Sequence, residues 1–149
     1  MMQTTSDANA QLVSTFRSLA GNGQFLPVDQ LFPADLSALF PDDYAQREEG
    51  MEAGVPGIRS FLDTLKAGFP DIQGRVDDVV AQGDRLVVRM TWQGTHTGPF
   101  MGVAPTGQQV HYGRIEIWRM REGKLAEHWG EYDLYGLLRQ LGAVPALPS

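Results

Sequence analysis

From Asp71 onward the hydrophobic pattern changes from a helical period to an alternating one, and turn signals begin to recur at regular intervals. No other feature limits the fold as much. Arg75 to Ala81 is a predicted strand, Gln82-Gly83-Asp84 a turn, and Arg85 to Gln93 its β-branched partner. A loop from Gly94 to Gly107, marked by Gly98-Pro99 and Pro105-Thr106-Gly107, leads to a long strand from Gln109 to Met120. Glu122-Gly123 then reverses the chain, because glycine reaches positive φ without steric cost. The last strand runs from Leu125 to Asp133. Leu134, Leu137, Leu138 and Leu141 follow at helical spacing, and Gly142 with Pro145 supplies the stop.

The first half is helical. Leu12, Val13, Phe16 and Leu19 make an amphipathic helix of Asn9 to Leu19, ended by Gly21-Asn22-Gly23. Pro27 to Phe32 reads as one helical turn, and Pro41 to Glu52 as a polar helix or loop. Gly57 to Phe69 carries Ile58, Phe61, Leu62 and Leu65 on one side and ends at Phe69-Pro70. Helices first and an antiparallel meander second predict an α+β domain, with N-terminal helices covering one face of the sheet.

The 149 residues are expected to form one domain, 1–149, burying roughly two thirds of the surface of the unfolded chain. No apolar run approaches the ~20 residues of a membrane helix, and MMQTTSDANAQLV lacks the basic start and apolar core of a secretory signal. A cytoplasmic location is the expectation. Without cysteine there is no disulfide, thiolate nucleophile or cysteine-built metal site. A net charge of −6 argues against nucleic acid as partner. A small, largely apolar molecule is the expected ligand.

A two-residue Glu122-Gly123 loop sets Trp118 opposite Glu127, Glu116 opposite Trp129, Arg114 opposite Glu131 and Tyr112 opposite Asp133, all on one face. Ile115, Ile117, Ala126 and His128 would share the other face, His128 as a packing or interface histidine. Two readings of the charged face are open. It is either a solvated sheet surface or a pocket wall, where two indoles exclude water and the acids with Arg114 orient a ligand. In the second case neighbouring carboxylates have their pKa values driven apart, leaving one as base and another as acid. Asp133 also stands where a helix N-cap belongs. His96 and His111 have no partner by spacing, and no metal is expected.

The run Gly94-Thr95-His96-Thr97-Gly98-Pro99-Phe100-Met101-Gly102, then Pro105-Thr106-Gly107, Glu122 to Trp129, Asp133 and Leu137 to Gly142 resembles the SnoaL-like polyketide cyclases from Gly54 to Gly142. The resemblance implies the cone-shaped α+β fold of the nuclear transport factor two superfamily. Helices there cap a curved antiparallel sheet around an apolar cavity, usually in a homodimer formed through the outer sheet face. It implies a cofactor-free intramolecular aldol cyclisation of a polyketide-like carbonyl substrate. Asp133 is then the acid/base, with Glu131 and His111 as catalytic helpers. Trp129, Trp118, Arg114, Glu116, His96 and Phe100 would bind the substrate. Related isomerase or lyase chemistry fits the same site. The spacing Arg114-x-Glu116 also suits an epoxide hydrolase acting on a terpene-like epoxide. A third reading is a binding protein for a hydrophobic metabolite, because LFPADLSALFPDDYAQREEG departs from the family pattern and no histidine precedes His96.

Overall fold

A computed structural model of the chain describes residues 5–145 and residue 148. Residues 1–4, part of the stretch on which the no-signal expectation rests, lie outside the described residues. Helix α1 (Thr5–Asn22) is longer at both ends than its hydrophobic stripe predicts. Leu12 faces the core, and the buried Asn9 accepts the Gly123 N–H at 2.8 Å, tying the helix to the last hairpin. After β1 (Leu26–Pro27) come α2 (Val28–Leu31) and a short 3-10 turn at Leu36–Ala38. The segment read as a polar helix or loop holds instead a two-residue strand, β2 (Ala45–Gln46). It has no apolar stripe to pack as a helix, and edge pairing holds it. Helix α3 (Gly54–Gly68) buries Ile58, Leu62 and Leu65.

The long strands β3 (Gln73–Gln82), β4 (Arg85–Thr95), β5 (Gln109–Arg121) and β6 (Lys124–Tyr132) precede α4 (Leu134–Gln140). The sheet order is β1-β3-β4-β5-β6-β2. The expected antiparallel sheet is therefore mixed, because β2 joins β6 in parallel, Ala45 beside Glu127 and Gln46 beside His128. Along β5 the inner positions Val110, Tyr112, Arg114, Glu116, Trp118 and Met120 are buried. Leu86, Val88 and Trp92 of β4 and Phe69, Leu65 and Leu137 complete the core. The outer face leaves Val80, Ile115 and Ile117 exposed, and it is the surface to which the homodimer expectation refers. Among the described residues no helix is long and apolar enough to cross a membrane.

The last hairpin corrects the expected register. Glu122 and Gly123 both take positive φ, 51° and 76°, and Met120 pairs with Leu125 as the loop demands. The ladder then slips at Ala126. Arg119 pairs with Glu127, Trp118 with His128, Ile117 with Trp129, Glu116 with Gly130 and Arg114 with Tyr132. Leu125 and Ala126 are both 1% exposed, and a strand of period two buries two consecutive residues only across a bulge. Every later side chain of β6 thereby changes face.

Between β4 and β5 the loop docks on the end of α3. The Thr97 and Gly98 N–H groups both donate to the Gly68 carbonyl, at 3.2 and 3.1 Å. Phe100 folds back onto Val103, and its ring meets Phe69 edge-on with centroids 5.1 Å apart. A Cβ on residue 98 would fall 1.9 Å from the Ala67 carbonyl oxygen. Gly98→Ala is therefore expected to cost about 1–3 kcal/mol, as overpacking does. An unchanged urea midpoint would contradict the close docking of this loop.

Candidate active site

Arg114 and Glu116 lie on a strand face that is otherwise apolar, so their charges must find partners inside the protein. The bulge at Ala126 brings His128 to them, and the parallel pairing of β2 brings Glu48. Arg114 Nε donates to Glu116 Oε1 and Arg114 Nη2 to Glu48 Oε2. The other oxygen of Glu116 meets His128 Nε2. His128 Nδ1 lies 2.7 Å from Gln46 Oε1. That amide is oriented by two further bonds, the Glu48 N–H donating to Oε1 and Nε2 donating to the Tyr44 hydroxyl, each at 2.9 Å. Both ring nitrogens of His128 are thus engaged. The side chains of Glu48, Arg114, Glu116 and His128 are each no more than 10% exposed.

Burial alone would raise the Glu116 carboxyl, but the Arg114 charge and the His128 hydrogen bond outweigh it and hold it down to about 2. Burial also opposes the charge of Arg114, and Glu116 with Glu48 overcomes that and keeps the guanidinium protonated. Burial pushes the Tyr44 hydroxyl far up, reinforced by Glu116 and Glu48, and burial does the same to Tyr112. Neither phenol is an acid or base near neutral pH.

Beside the cluster opens a pocket of about 460 Å³. Phe61 and Leu65 of α3, Phe100 of the docked loop, and Tyr132 with Leu134 give it apolar walls. Segment 48–51 closes one side. Of the four clustered side chains, Glu48 is the one that lines this pocket. Arg114 stands behind the wall, its Cζ 5.5 Å from the Phe61 centroid and 5.1 Å from the Tyr132 centroid. Among the described residues no three His, Asp or Glu side chains are grouped to hold a metal ion.

The expected pocket face is split between the two sides of the sheet. Arg114, Glu116 and Trp118 face inward, with Trp118 stacked on His128 at 4.1 Å. Trp129 lies on the outer face beneath Arg85, whose Cζ is 4.9 Å from the ring. Glu131, opposite Ile115, is exposed at the pocket rim. Asp133 is exposed and caps α4, its Oδ1 accepting the Gly136 N–H at 2.9 Å. It also borders a second pocket, together with Arg114, Glu131 and Tyr132. His111 is exposed at a polar outer groove, on the face of β5 opposite to Arg114 and Glu116. His96 is fully buried against Phe69, its Nδ1 accepting the Thr106 N–H at 3.2 Å, so it anchors the loop that carries Phe100 into the pocket wall.

His128, Gln46 and Glu48 belong to the site and were not expected there. The apolar pair Leu125-Ala126 was the available signal for His128, since two adjacent buried positions imply a bulge. Glu48 had no local signal. It sits among several acids in a segment without periodicity, and its partner lies 66 residues further along the chain.

A model of the SnoaL-like polyketide cyclase family matches residues 11–141. The nogalonic acid methyl ester cyclase of Streptomyces nogalater is 26% identical over 113 residues, covering 72% of this chain and 84% of that protein. The structure of TsrD from Streptomyces laurentii superposes with a TM-score of 0.73 at 30% identity, over 95% of this chain and all of that one. IdmH from Streptomyces antibioticus superposes with a TM-score of 0.66 at 29% identity, over 94% and 99% of the two chains.

The Glu116 carboxyl is held below its ordinary value of 4.5 in the folded protein. Its contribution to stability is complete above pH 4.5 and is lost as the pH falls to about 2. Urea midpoints measured from pH 6 to pH 2 should fall across that window. Glu116→Gln should flatten this acid limb and cost about 3–5 kcal/mol at neutral pH, because the buried Arg114 guanidinium loses a partner. An acid limb equally steep in the variant would count against the assignment.

Proposed function

Because the chain belongs to the SnoaL-like polyketide cyclase family, we propose that it is a cofactor-independent acid/base cyclase for an apolar, polyketide-like carbonyl compound, with Glu48 as its proton carrier. One observation carries this reading: a carboxylate whose side chain is 6% exposed borders an apolar pocket while a buried guanidinium holds it. A pocket with such walls selects an apolar ligand, and its few polar groups orient the reacting end.

Glu48 removes a proton from a carbon flanked by carbonyl groups. The electron pair left on that carbon attacks a second carbonyl carbon of the same molecule, forming the ring C–C bond, and the C=O π pair moves to oxygen. The alkoxide takes the proton back from Glu48, so the carboxylate is regenerated and nothing is consumed. Delocalisation over the flanking carbonyls carries most of the carbanion charge. Arg114 fixes the carboxylate in place, so that little reorganisation accompanies the proton transfer. Asp133 in this scheme serves as the α4 cap.

Nogalonic acid methyl ester, the compound in the name of one relative, is a suitable probe. Glu48→Gln should lower kcat by about 10²-fold or more while KM changes little. Full turnover by Glu48→Gln would remove the proposed role, and a larger loss in Asp133→Asn would assign the proton to Asp133. Binding of the probe by the native protein without any product would favour the metabolite-binding reading.

A second reading, epoxide hydrolysis, draws support from the pair of carboxylates, Glu48 and Glu116, held on the single guanidinium of Arg114. Water activated by a carboxylate would open the epoxide, and incubation of a terpene-type epoxide in ¹⁸O-labelled water should then yield labelled diol. A panel of epoxides recovered intact would count against it.

A further inference from the structure

Gly130 lies on the inner face of β6 between His128 and Tyr132, directly across the ladder from Glu116. Its φ is not positive, so the backbone would accept any L residue there and does not require glycine. Space does. A Cβ at 130 would fall 2.7 Å from Glu48 Oε2, 2.8 Å from Arg114 Nη2 and 2.9 Å from His128 Cε1, closer than real Cβ contacts come. The Glu48 and His128 side chains are 6% and 3% exposed and are engaged with Arg114 and Glu116, so making room would break those bonds.

The segment that fills this space is guided to it along the same strand. Gln46 pairs with His128, the Arg47 N–H donates to the His128 carbonyl at 2.9 Å, and the Glu48 N–H donates to Gln46 Oε1. Two residues beyond the last ladder pair, the Glu48 side chain turns into the volume that β6 leaves empty. Resting on the role proposed for Glu48, we infer that Gly130 is a positioning residue. Its missing side chain is the socket for the catalytic carboxylate, and residue 130 decides whether that carboxylate comes from the pocket wall or from the sheet. An aspartate at 130 would then substitute for Glu48.

Two measurements test this. The first needs no substrate: Tm is compared for the native protein, Gly130→Ala, Glu48→Ala and the double variant. Gly130→Ala should lower Tm by several degrees alone and by distinctly less in the Glu48→Ala background, since the closest of the three contacts is then gone and Arg114 Nη2, released from Glu48, can move aside. Equal penalties in both backgrounds would overturn the socket. The second follows turnover of nogalonic acid methyl ester. Gly130→Ala should lower kcat, and Glu48→Ala with Gly130→Asp should recover at least about tenfold over Glu48→Ala alone. If Glu48→Ala is inactive while Gly130→Ala keeps full kcat, the positioning role of Gly130 fails and the role of Glu48 stands. If Glu48→Ala keeps full kcat, the role of Glu48 fails, and the thermal cycle still decides what occupies the socket.

Discussion

Four titratable side chains buried on the inner face of an apolar sheet set the terms for what surrounds them. Glu48, Arg114, Glu116 and His128 are individually far too costly to desolvate. Together they form an ordered chain of hydrogen bonds and ion pairs, closed at one end by the Gln46 amide. Such a network is satisfied only when all its members are present, so it joins β2, β5 and β6 into one unit and specifies their register. A glutamate brought by a segment with almost no core of its own is held there by charge and edge pairing.

The bulge at Ala126 is what makes the network possible. With straight two-to-two pairing, Glu127, Trp129 and Glu131 would point at Arg114 and Glu116, and a surplus of negative charge would be buried beside an indole. Slipping the ladder by one residue sends those side chains to the outer face and turns His128, Gly130 and Tyr132 inward. Three different needs of the site are met by that slip. His128 supplies a ring nitrogen to Glu116, Gly130 leaves room for a carboxylate, and Tyr132 extends the apolar wall.

The pocket and the network touch at one group. Phe61, Leu65, Phe100 and Leu134 present hydrocarbon, and Glu48 presents the carboxylate, while Arg114 and Glu116 lie behind it. A buried carboxylate with a fixed counter-ion beside apolar walls is the arrangement on which the proposed proton transfer rests. The docked loop contributes by position, since the buried His96 and the close packing of Gly98 on α3 hold Phe100 in the wall.

Local chemistry was enough to read the order of the long helices and strands, the two-residue turn at Glu122-Gly123, the apolar stripe of α3 and the resemblance to the cyclase family, but not the short edge strands β1 and β2. Each depends on neighbours in sequence: a period, a glycine, a short motif. The same local reading placed Arg114 and Glu116 together, because two residues apart on a strand they must share a face. It misplaced Trp129 and His128, since the pleat alternates strictly until a bulge interrupts it, and only packing against the core shows that Leu125 and Ala126 are both inside. Glu48 was beyond local reading altogether. Its place depends on a parallel edge pairing with a strand some eighty residues later and on the absence of a side chain at Gly130, and such a coincidence exists only once the chain has folded.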